Sequence, residues 1–121
     1  MTITVSQFDS PATEYQSLNE LNLHELVVGE KAHAVFFSKA QGHNLRSRGI
    51  FHDDLLVANR AITPKHGDIV IAVVDGELLC RVFDKTRSLL LSDSDTAIPC
   101  QEKVIIEATV TASLRAHRPL L

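Results

Sequence analysis

The side chains of this chain that bear on chemistry are a few histidines, two cysteines and one arginine set on a strand. His33, His43, His52 and His66 are spread along the chain. A metal centre needs ligands at short, fixed spacings with a cysteine or carboxylate beside them, and no pair of these histidines shows that pattern. They read as ordinary surface residues, and no metal is expected. Cys80 and Cys100 are the only cysteines among 121 residues. Two cysteines make no disulfide framework, so both are expected reduced, as in a cytoplasmic protein. Cys80 reads as a small core filler on a strand, and Cys100, after Pro99, as exposed in a loop. Arg81 stands out because of what carries it. In HGDIVIAVVDGE, His66 to Glu77, an apolar run meets Asp75-Gly76 and a second strand pattern follows. Asp-Gly between two such runs is a strong hairpin signal, since both turn residues need positive φ. Arg81 lies on that second strand and shares its parity with Leu79 and Phe83.

The elements around this hairpin are mostly strands. Residues 1–16 are polar, with Pro11 near the middle, and read as an extended arm. Ser17 to Val28 reads as a short helix, with Ser17 and Glu20 as a capping box and Gly29 as its stop. Strand patterns cover Ala32 to Ser38, Asp54 to Asn59, Asp68 to Val74, Glu77 to Phe83 and Ser88 to Leu91. The last, Lys103 to Leu114, alternates: Val104, Ile106, Ala108, Val110 and Ala112 on one face, with Lys103, Glu107, Thr109, Thr111 and Ser113 on the other. The expectation is an arm over 1–16 and a mostly-β domain over 17–121 with one short N-terminal helix. An apolar content of 45% suits a globular domain, and a net charge of −3 argues against direct nucleic-acid binding. No apolar run approaches the length of a membrane span, and no secretory signal is visible at the N-terminus. The basic stretch Arg115-Ala116-His117-Arg118 reads as a solvated tail.

From Ala40 to Pro99 the sequence resembles the UmuD/LexA family of self-cleaving proteins, the serine–lysine S24 peptidases, and within it the UmuD branch. Gly42, Gly49-Ile50, Asp54-Leu55-Leu56-Val57, Ala61-Ile62-Thr63 and His66 to Glu77 all fall in register with the family pattern. Upstream, Phe8, Ser10-Pro11-Ala12 and Tyr15 also fit. The resemblance implies a domain of strongly bent sheets (the β-clip fold) that forms homodimers. It also implies a serine in a Gly-Asp-Ser-Met motif and a lysine on the strand after the Asp-Gly turn.

This chain departs from the family at both positions. The motif reads Gly42-His43-Asn44-Leu45, which puts Asn44 at the nucleophile position, and Arg81 stands at the lysine position. Serine attacks because a base takes its proton, whereas an asparagine amide has no hydroxyl and its nitrogen lone pair is delocalised. A neutral lysine can be that base; a guanidinium stays protonated in proteins and cannot. Ser38, Ser47 and Ser88, with Lys39 and Lys85, are the alternatives for a relocated pair. Ser47 lies three residues past the motif position, and Lys85 lies four past Arg81, beyond the expected strand end. The family's cut bond, Cys-Gly, is matched here by Ser6-Gln7, so the chain is expected to begin near the start of the processed form and to have no catalytic residues. Two readings of Arg81 stay open: a guanidinium in the old cleft donating to the Asn44 side-chain oxygen, or a side chain solvated at the rim. Asp53 stands where the family has a turn glycine, and is expected to adopt the left-handed conformation.

The resemblance implies a UmuD′-like, non-catalytic accessory subunit of a translesion (error-prone) DNA polymerase of the UmuC kind, acting in the SOS response. It would be a homodimeric cytoplasmic binding protein without a cofactor, and RecA would be a further partner. The alternatives are a regulatory pseudopeptidase that pairs with an active UmuD- or LexA-type relative, and an S24 peptidase with residual activity. No residues precede this domain that would form a helix-turn-helix, which counts against a repressor.

Overall fold

The computed structural model describes residues 34–119. Their elements are seven strands: β1 Val35–Lys39, β2 Leu55–Asn59, β3 Ile69–Val74, β4 Glu77–Asp84, β5 Leu89–Leu91, β6 Ile98–Pro99 and β7 Val104–Leu114. One 3-10 turn, Arg46–Arg48, lies between β1 and β2. The strands form one antiparallel sheet in the order β1-β2-β7-β3-β4-β5-β6. The mostly-β expectation is correct, and five strands match the sequence pattern closely. The expected helix Ser17 to Val28 and the arm over 1–16 lie outside the described residues. β6 was not anticipated; two residues are too few to carry a period.

The β3–β4 hairpin forms as its sequence demands. Asp75 and Gly76 have φ of 51° and 82°, and Val74 pairs with Glu77 directly across the turn. Two positive φ values match the right-handed twist of the strands that enter and leave. The hairpin packs on both faces. Val70 and Ala72 join Leu90 in a cluster that Phe83, Ile98, Cys100 and Ile106 cover. Ile71, on the opposite face, packs with Ala58 and Ala108. β3 is therefore apolar at every position, as a strand buried on both sides must be.

β7 departs from its sequence pattern. Its pairing with β3 skips a residue between Ala108 and Ile106, and its pairing with β2 skips one between Ala112 and Val110. Each bulge reverses the alternation and bends the strand. Thr109, expected on the polar face, is consequently 4% exposed beside the buried Ala108. Its hydroxyl donates to the Ile62 carbonyl at 3.0 Å, so the buried oxygen is satisfied.

Candidate functional site

Between β1 and β2, residues 40–54 make a loop that lies against the sheet. Ala40, Leu45 and Ile50 bury themselves on Leu56, with Cys80 and Val82 from β4 alongside. Three residues in this loop have left-handed backbone: Gly42 (φ 83°), Gly49 (φ 78°) and Asp53 (φ 72°). Asp53 takes the conformation expected of it. Asn44 sits at the turn leading into the 3-10 segment. This loop and the first half of β4 face each other across a cavity of about 390 Å³. Ser38, Asn44, Leu56, Cys80 and Arg81 are among the residues lining it.

The two positions singled out in the sequence come together here, but through a third residue. Arg81 is buried, at 7% exposure, which rules out the solvated rim. Its Nη2 donates to Asp95 Oδ2 at 3.0 Å, and the Asn44 side-chain nitrogen donates to the same oxygen at 3.0 Å. The expected bond from the guanidinium to the Asn44 oxygen is not made. That oxygen accepts instead from Ser94 Oγ at 3.1 Å. A carboxylate is the stronger acceptor for a cation, and it is available because the β5–β6 loop folds over the site. Arg81 Nη1 donates to the Cys80 carbonyl at 2.8 Å, while its Nε is buried and has no acceptor among the described residues.

The β5–β6 loop is tied to the Asn44 loop along its length. The Asp93 backbone nitrogen donates to the Asn44 carbonyl at 2.7 Å. The Asp93 carboxylate accepts from both the hydroxyl and the backbone nitrogen of Ser47. Those two bonds, the hydroxyl's first, hold the Asp93 carboxyl below its ordinary pKa. The Ser47 hydroxyl is thereby committed to a carboxylate. Lys85 falls just past the end of β4 at Asp84, as the sequence implied.

The C-terminal basic stretch is not simply a solvated tail. Arg115 folds back onto the loop: Nε donates to Asp54 Oδ1 at 3.0 Å, and Nη2 donates to Asp54 Oδ2 at 3.2 Å and to the Gly49 carbonyl at 3.1 Å. Its guanidinium carbon lies 4.1 Å from the centre of the Phe51 ring. Asp54 is 2% exposed and also accepts from the Phe51 backbone nitrogen. These bonds, Arg115's first, outweigh burial and hold its carboxyl below the usual value.

The remaining residues do ordinary structural work. His52 Nδ1 accepts from the Gly42 backbone nitrogen at 2.9 Å, and its ring lies 5.9 Å from that of His43. His66 Nδ1 accepts from the Lys85 backbone nitrogen at 3.1 Å. His33 lies outside the described residues. Among the described residues no three His, Cys, Asp or Glu side chains cluster as a metal site would require. Both cysteines are free and half-buried, which corrects the exposed reading of Cys100. Burial pushes the Cys80 thiol up to about 11, against a smaller opposing pull from Arg81, so it is a poor nucleophile at neutral pH.

The β3–β4 hairpin and the glycine-led loop bring Arg81 and Asn44 to one cavity, and these are the positions that match the lysine and serine of the serine–lysine self-cleaving proteins. Residues 4–111 match the family described as Peptidase S24-like, and the chain belongs to that family, in its UmuD/LexA group. It is 47% identical over 119 residues to protein ImpA of Salmonella typhimurium, covering 93% of this chain and 79% of that one. It is 34% identical over 113 residues to protein SamA of Salmonella typhimurium strain LT2, covering 92% and 79%. It is also 34% identical over 116 residues to protein MucA of Escherichia coli, covering 91% and 78%.

Proposed function

We propose that this chain is a non-catalytic, UmuD′-like binding subunit that serves a translesion DNA polymerase of the UmuC kind in the SOS response. One observation carries the non-catalytic half: Asn44 and Arg81 both donate to Asp95 Oδ2 at 3.0 Å. Neither side chain offers what serine–lysine chemistry needs. An amide has no hydroxyl to give up, and a guanidinium engaged with a carboxylate has no lone pair with which to take a proton. The kinship with ImpA, SamA and MucA over nearly the whole chain supports an accessory role of the UmuD kind.

Its work is binding, as a cytoplasmic homodimer without a cofactor. Among the described residues β1 is an edge strand, and two rows of one sheet face expose apolar surface near it. Phe37, in register with Val57 and Ala112, is 55% exposed, and Leu114, in register with Leu55 and Lys39, is 48% exposed. Exposed apolar side chains beside an edge that no described strand pairs support contact with another chain. A RecA filament is a further partner in this reading.

Co-expression with a UmuC-type polymerase, followed by affinity capture and size-exclusion chromatography, tests the role. The expected result is one peak holding the polymerase and this chain together. A polymerase that elutes alone, while this chain forms mixed dimers with an active UmuD-type protein, would favour the regulatory pseudopeptidase instead.

A further inference from the structure

The loop over 40–54 forms one wall of the cavity, yet it contains no strand and carries three left-handed residues. Buried Ala40, Leu45 and Ile50 and a handful of backbone bonds anchor it, and side-chain tethers from outside the loop add to them. Within the loop those bonds are Arg48 to Leu45, Gly49 to Arg46, Ile50 to Leu45 and Asp54 to Phe51, with Ala40 exchanging bonds with Asp53 and Asp54 at its base. The β5–β6 loop grips it at Asn44 and Ser47. On the other side the grip comes from Arg115, the residue after the last position of β7. That side chain touches three separate points of the loop: the Gly49 carbonyl, the Phe51 ring and both Asp54 oxygens. Asp54 is nearly inaccessible, so its charge relies on Arg115.

We infer that Arg115 is a latch: it clamps the Asn44 loop shut over the cavity, so that drawing the C-terminal tail away from Gly49, Phe51 and Asp54 opens the cleft without unfolding the sheet. The sheet has its own support. β7 pairs with β3 over 104–109 and with β2 over 109–114, and it packs through Ala108, Val110 and Ile106; the hydrogen bonds of Arg115 go instead to Asp54 and Gly49. The latch residue therefore sits where a contact made by the tail is transmitted to the cavity wall. Arg118, three residues on, is exposed and makes no ion pair among the described residues, which makes it the natural control. Lysine in place of Arg115 would keep the charge but lose the fork that spans two acceptors and the flat face that lies on Phe51.

The two cysteines report the two halves of this inference separately. Cys80 lines the cavity and packs with Ala40, Leu45, Ile50 and Leu56. Cys100 packs in the other cluster, with Val70, Ala72 and Leu90. The experiment measures alkylation of each thiol by a maleimide, using peptide mass spectrometry, in the parent chain and its Arg115→Ala, Arg115→Lys and Arg118→Ala variants. Losing charge-assisted hydrogen bonds corresponds to an opening equilibrium raised about tenfold. Arg115→Ala is expected to speed Cys80 labelling by about that factor and to leave Cys100 unchanged. Arg115→Lys should fall between, and Arg118→Ala should match the parent. Equal acceleration of both cysteines in Arg115→Ala would mean general loosening and would overturn the latch. So would a Cys80 rate that does not change. If Arg115→Ala does not fold, Arg115→Lys carries the same comparison.

Discussion

Removing the Asp95 carboxylate should destabilise this protein mainly through the Arg81 charge it leaves unpaired. In the parent, Asp95 accepts from Arg81 Nη2 and from the Asn44 side chain, both at 3.0 Å. The Arg81 side chain is 9% exposed and that of Asp95 is 50% exposed. Breaking a fully buried pair from one side costs about 3–5 kcal/mol, because the surviving charge is left stranded. Here one partner is half in water, so solvent recovers part of that. We expect Asp95→Ala to cost about 1–2 kcal/mol. Arg81→Met removes the buried charge together with its unpaired Nε and fills a similar volume, and should lie within about 1 kcal/mol of the parent. In the Arg81→Met background, Asp95→Ala forfeits only the exposed bond to Asn44, about 0.5 kcal/mol or less. The double-mutant cycle should therefore close with a coupling near 1 kcal/mol. Urea and thermal unfolding followed by circular dichroism read this directly. For a domain of this size each kcal/mol moves Tm by roughly 4 °C. A coupling near zero would mean that Arg81 does not depend on Asp95.

Three further outcomes follow from the structure. The Asp54 carboxyl titrates below its ordinary 3.8 in the folded protein, so the unfolded chain binds its proton first on acidification. Its contribution is complete above 3.8 and is lost as pH falls through the lower folded value; Asp54→Asn should flatten the fall in stability across that window in acid-unfolding curves. Gly76→Ala places a Cβ at φ of 82° with nothing within 4 Å of it, so the loss is a backbone one, about 1–2 kcal/mol by urea unfolding, without a change in fold. Thr109→Val leaves the Ile62 carbonyl without its buried donor and should cost about 1 kcal/mol in the same assay, while replacing a solvent-facing threonine would cost almost nothing.

What could be read from the sequence divides by how far apart the interacting residues lie. The Asp75-Gly76 turn is written in adjacent residues, so the hairpin and the position of Arg81 on it were legible. The strands with clean periods were legible for the same reason. β7 was legible as a strand but not in its facing, because two bulges break the period inside it and leave Thr109 indoors. The site was half legible. Asn44 and Arg81 came from the family pattern, and both line one cavity. Asp95 did not, since it lies 51 residues from Asn44 in a short polar stretch, Ser92-Asp93-Ser94-Asp95, that carries no local signal beyond that of a loop. The Arg115 to Asp54 pair spans 61 residues and was hidden likewise. A basic residue after a strand looks like a tail until the fold shows the buried carboxylate waiting for it.

In the proposed role, Asn44 and Arg81 leave this chain unable to cut itself. Intact-mass spectrometry after prolonged incubation with a RecA filament on single-stranded DNA and nucleotide reads this out. One mass, that of the uncut chain, is expected at every time point. Fragments that appear with the filament, and vanish in Asn44→Ala and Arg81→Ala, would contradict it.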